Sequence, residues 1–101
     1  MRGADIVARV RFYASDKGGR LLATPRNIFR CLLGFKGELF DCGLILDQTG
    51  PVSPGDEVVV PVILLNPSLI KNELKVGSHF TLWEMKTIAI GVVEEVLPDE
   101  Q

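Results

Sequence analysis

One stretch constrains the fold more than any other: Val58 to Leu65, in which Val58, Val60, Val62 and Leu64 alternate with other residues. A period of two places those four side chains on one face of an extended strand. Pro61 lies inside the run. Proline has no amide hydrogen for a sheet ladder, so its position must face an edge or a bulge. Any fold for this chain must therefore contain a half-buried strand with one weak point in its pairing.

The same period recurs along the chain. In Ile6–Tyr13, Ala8, Val10 and Phe12 share one side, and Arg9, Arg11 and Tyr13 share the other. Ile28–Phe35 is apolar with Arg30 inside it, and Lys36-Gly37 forms a hinge into Glu38–Leu46. There Phe40, Cys42, Leu44 and Leu46 share a face. Two further strands, His79–Trp83 and Thr87–Val96, meet at a short turn near Glu84-Met85-Lys86. Between strands, residues 47–56 (DQTGPVSPGD) read as a loop, and 68–77 (SLIKNELKVG) as a helical turn at most. Six mostly amphipathic strands with short links predict an all-β domain, a six-stranded antiparallel closed β-barrel, because closure removes exposed edges. A chain of 101 residues is one domain. Its ordered core is expected over about 5–97, with a flexible tail at 98–101.

Composition sets the broad class. With 47% hydrophobic and 24% charged residues, the chain reads as a soluble globular domain. No run approaches the ~20 apolar residues of a membrane span. Arginines at 2, 9 and 11 break any apolar leader. The expected location is cytoplasmic, where Cys31 and Cys42 stay reduced. If Lys36-Gly37 is a two-residue hairpin, these cysteines fall opposite each other at a hydrogen-bonded position, a poor place for a cross-strand bridge. Two core-facing thiols are expected.

Lys17-Gly18-Gly19-Arg20 invites a phosphate-loop reading. Such a loop needs glycines leading into a helix N-terminus, and here they lie between two strand-like segments. They are read as supplying positive φ in a hairpin connection. For nucleophilic catalysis one base, His79, would serve scattered serines, threonines and thiols, with no motif to orient it. The adjacent acid pairs Asp56-Glu57, Glu94-Glu95 and Asp99-Glu100 point to opposite faces of a strand and do not converge. The cysteines are not spaced as metal ligands. No enzyme activity, metal or cofactor is expected.

The net charge of −2 hides an asymmetry. Residues 1–36 carry eight basic and two acidic side chains, and residues 37–101 carry three basic and eleven acidic ones. The split reads either as a basic face for an acidic partner or as two solvated faces of one barrel.

The motifs taken in order resemble a known domain. An Ala-x-Val-x-Phe-Tyr strand precedes Lys17-Gly18-Gly19-Arg20; Pro54-Gly55-Asp56 runs into the alternating valines; Asn66-Pro67 follows. Leu74, Gly77, Phe80 and Leu82 lead to Ile88-Ala89-Ile90-Gly91-Val92-Val93. This series, over roughly residues 5–97, is similar to the third, C-terminal domain of the elongation factor Tu family. The resemblance implies a six-stranded antiparallel barrel that has no catalytic residues and serves as a binding surface for aminoacyl-tRNA, neighbouring domains and an exchange factor. GTP belongs to a separate P-loop domain of that family; the chain has no P-loop, and no GTP binding is expected of it. The departures are local. Where the family has polar and aromatic segments tied to RNA contact or domain packing, this chain has Leu21-Leu22-Ala23 and Arg30-Cys31-Leu32-Leu33-Gly34-Phe35.

Leu21-Leu22 reads either as an exposed apolar patch for a protein partner or as a pair folded inward over one barrel end. Two functions follow. One is a protein-interaction module, of inhibitor or immunity type, using Leu21, Leu22 and the basic first third. The other is tRNA or ribonucleoprotein binding through Arg9, Arg11, Arg20, Arg26 and Arg30.

Overall fold

In the computed structural model, which describes residues 3–98, six strands form a closed antiparallel barrel. They are β1 (Ile6–Phe12), β2 (Ile28–Phe35), β3 (Glu38–Ile45), β4 (Glu57–Leu64), β5 (His79–Trp83) and β6 (Thr87–Val96). The expected strand ends differ by one residue in β1, β3 and β4. The tail expected at 98–101 falls, apart from Pro98, outside the described residues.

Around the barrel the order is β1-β4-β3-β2-β5-β6. Strands β2, β3 and β4 are consecutive antiparallel neighbours and β1 returns beside β4, a Greek key traced in reverse chain direction. The alternation works as expected. Ile6, Ala8, Val10 and Phe12 of β1 meet Val60, Val62, Leu64, Phe29, Leu33, Leu44 and Leu82 in the closed interior. Val52 and Leu46 join the core from the loop after β3, and Ile70 and Leu74 from the segment before β5. That segment holds two short 3-10 turns, Pro67–Leu69 and Lys71–Glu73.

One residue makes room for another inside the barrel. The Phe80 ring lies over Gly91, where a Cβ would come within 2.4 Å of the ring. Trp83, by contrast, points outward and is half-buried. A buried ion pair that alternation does not reveal ties down the opposite end. Asp5, 2% exposed, accepts the Leu64 N–H at 2.7 Å, and its other oxygen is 3.4 Å from Lys71 Nζ.

Lys36 and Gly37 have φ of 51° and 80°, a type I′ hairpin turn matched to strand twist. The register that follows pairs Phe35 with Glu38 and Cys31 with Cys42. The thiols are free and buried, with Sγ atoms 3.7 Å apart. The hydrogen bond shared with Cys42, and then burial, pushes the Cys31 thiol far above its ordinary value. The Cys31 sulfur is therefore held protonated.

The hairpin reading of Gly18-Gly19 is overturned. β1 and β2 are not neighbours; two strands separate them in either direction round the barrel. The connection between them crosses one end instead, starting with a 3-10 turn at Ser15–Lys17. Gly18 has φ of 92° as expected, but Gly19 is needed for proximity. A Cβ there would lie 2.0 Å from the Tyr13 carbonyl oxygen.

Candidate functional site

The crossing segment builds the most distinctive surface of the molecule. Its start is fixed by the Ala14 carbonyl, which accepts the N–H groups of both Lys17 and Gly19 at 2.9 Å. The Ser15 hydroxyl donates to the Arg20 carbonyl at 3.0 Å. Its far side is fixed by Thr24, which is buried. The Thr24 N–H donates to the Val52 carbonyl at 2.9 Å, and the Val52 N–H donates back to Thr24 Oγ1 at 2.9 Å. Between these anchors Leu21 and Leu22 stand out into solvent, 83% and 75% exposed. The inward-folded alternative is therefore excluded.

Arg20 is the strut beneath them. Its Nε donates to Glu84 Oε1 at 2.8 Å and its Nη1 to the Leu22 carbonyl at 2.9 Å. The guanidinium carbon sits 4.8 Å from the centroid of the Phe29 ring, so a cation–π contact adds to the pairing. Only a fifth of the side chain is exposed. Glu84 belongs to the β5–β6 turn, and the ion pair therefore fastens the crossing segment to that turn. Arg20 was a candidate contact residue in the sequence; in the structure its donors are directed at Glu84 and Leu22.

The turn contributes a third apolar side chain. Met85 is 89% exposed and, unusually for a residue other than glycine, has φ of 65°. Together with Leu21, Leu22, Arg20, Glu84 and Lys86 it lines a shallow groove of about 370 Å³. Sequence reasoning passed over Met85. The signal was an apolar residue at the centre of a strand–strand turn, a place usually held by Gly, Asn or Asp.

The other basic candidates do not converge. Arg9 and Arg11 lie exposed on the outer wall of β1. Arg9 is paired with Glu57 at 3.1 Å and Glu94 at 3.5 Å, which raises its already high pKa, through the Glu57 hydrogen bond first. Arg30 lies exposed on β2, on the opposite side of the barrel from β1. Arg26 is exposed in the crossing segment, close in sequence to Leu22. The basic first third is thus divided between two sides and one end. Acidic side chains of β4 and β6 sit beside its β1 portion.

His79 lines a different groove, of about 560 Å³, with Phe35, Thr81 and Trp83. It faces outward from β5, whereas both thiols face the core. Among the described residues, no three His, Cys, Asp or Glu side chains are grouped to hold a metal ion. No helix among them is long and apolar enough to cross a membrane. No model of a known protein family matches the chain, and no curated protein matches it either.

Proposed function

We propose that this chain is a non-enzymatic binding module of the elongation factor Tu third-domain type, and that a protein partner covers the end bearing Leu21, Leu22 and Met85. The observation that carries the reading is the way these side chains are held. Three large apolar groups are kept in water by a braced segment and a strained turn, an arrangement with a folding cost and no packing return in the free molecule. Burying each against a partner is worth about 1.5–3 kcal/mol before the costs of association. The type of barrel is supported by the ordered set of motifs, now seen on six antiparallel strands in closed order. An inhibitor or immunity-type role, in which the barrel occupies a partner's docking face, fits this surface. Two free thiols suit a cytoplasmic setting.

The tRNA alternative draws less from the geometry, since Arg20 is engaged and Arg9 and Arg30 lie on opposite sides. A double variant, Leu21→Asp with Leu22→Asp, separates the readings. The wild-type protein should retain a stoichiometric protein from native lysate that the double variant releases, while Arg9→Ala with Arg11→Ala retains it. Recovery of tRNA lost in the arginine variant, and not in the leucine variant, would reverse the assignment.

A further inference from the structure

The exposed end also contains an unpaired strand edge. β5 pairs with β2 only at Leu32↔Trp83, Leu33↔Leu82 and Gly34↔Thr81, although β2 runs back to Ile28 and pairs with β3 throughout. The hairpin turn decides which main-chain groups are involved. Phe35 is hydrogen-bonded to Glu38 across a two-residue turn, so odd residues of β2 direct their amides and carbonyls to β3. The bond from Leu46 N–H to the Asn27 carbonyl, 2.7 Å, follows the same parity. Even residues face the other way. At Leu32 and Gly34 they meet β5; at Ile28 and Arg30 no strand among the described residues pairs with them. Extending the β2–β5 register by two residues sets Arg30 opposite Met85, so this edge adjoins the apolar groups.

Charge is distributed unevenly around it. Residues 15–30 and the turn 84–86 carry Lys17, Arg20, Arg26, Arg30 and Lys86 against Asp16 and Glu84. Apart from the Arg20–Glu84 bridge, these cations form no ion pair among the described residues. Asp47 and Asp56 belong to the loop on the β3–β4 side of the same end.

We propose, resting on the surface reading above, that the partner docks by adding an extended acidic segment as a strand along Ile28–Arg30. Its main chain bonds the free amides and carbonyls of Ile28 and Arg30, as in other strand additions. Its apolar side chains cover Leu21, Leu22 and Met85, and its carboxylates face Arg26, Arg30 and Lys86. An edge of unpaired amides recognises a polypeptide; a lipid surface has nothing to match it.

The test uses a labelled ten-residue peptide of alternating Leu and Glu, a Lys-for-Glu copy, a copy N-methylated at every second residue, and phosphatidylcholine–phosphatidylserine vesicles. Binding is followed by anisotropy and by the amide signals of Ile28 and Arg30. The acidic peptide should shift both signals, and N-methylation or the Lys copy should weaken binding at least tenfold. Arg30→Pro removes only the outward amide and no bond to β3, and should also weaken it at least tenfold; Arg30→Gln should weaken it less. Should Arg30→Pro not fold, the N-methylated peptide alone decides. Binding lost in Leu21→Ser with Leu22→Ser but indifferent to N-methylation and to Arg30→Pro overturns the strand addition and leaves the surface reading standing. Indifference to every variant overturns both. No binding of the acidic peptide at millimolar concentration, or vesicle binding in its place, overturns the strand addition.

Discussion

Met85 has a left-handed backbone, φ of 65°, that costs a side-chain-bearing residue about 1–2 kcal/mol. Its side chain touches little in return. Met85→Gly should therefore raise the free energy of unfolding by about 1 kcal/mol, read from urea denaturation, and should weaken partner binding. A gain in stability paired with a loss of binding would mark the residue as kept for its surface. Gly91 shows the opposite economy. It leaves the space that the Phe80 ring fills, and overpacking a closed interior costs about 1–3 kcal/mol. Gly91→Ala should lower the unfolding midpoint accordingly, and an unchanged midpoint would mean that the ring can move aside.

At the scale of elements, the β2–β3 hairpin is the loosest part of the wall. It is held on each side by three register pairs: to β5 through 32–34, and to β4 at Cys42↔Leu64, Gly43↔Ile63 and Leu44↔Val62. Pro61 explains the second limit. The Leu65 N–H donates to the Asp41 carbonyl, so odd residues of β4 face β3, and the next ladder bond would need the amide hydrogen that Pro61 lacks. Beyond that point β4 pairs with β1 alone. The Val59 amide, odd and past the break, should exchange with deuterium at least a hundredfold faster than those of Val60 and Val62, which face β1. Equal protection of all three would mean that β3 and β4 stay paired beyond Pro61. Alternation of apolar residues was enough to place six strands within a residue of their ends, and Pro61 marked the weak edge. Neighbours were not legible in the same way. Gly18-Gly19 has the local chemistry of a hairpin, yet pairing is decided by which strands close the barrel, and β1 closes against β4 and β6.

For the whole molecule, closure rearranges charge that the linear chain had kept apart. Arg9 comes to lie beside Glu57 and Glu94, and Arg30 is carried to the far side. The basic third in sequence is thus split in space: Arg9 meets acids on the wall, while Arg26 and Arg30 stay by the exposed end. The exposed end was half legible. Leu21 and Leu22 departed from the resembling family at a turn, but their outward direction depends on the Thr24–Val52 bonds and the Arg20–Glu84 bridge, which join residues far apart in the chain. Met85 entered the site only through that bridge. We propose that this end is where the molecule meets a protein. The most direct measurement places a photoreactive phenylalanine analogue at position 85, and at position 11 as control, and illuminates the protein in native lysate. Position 85 should give one protein adduct of defined mass and position 11 none. Adducts to RNA, or the same protein adducts from both positions, would contradict the claim.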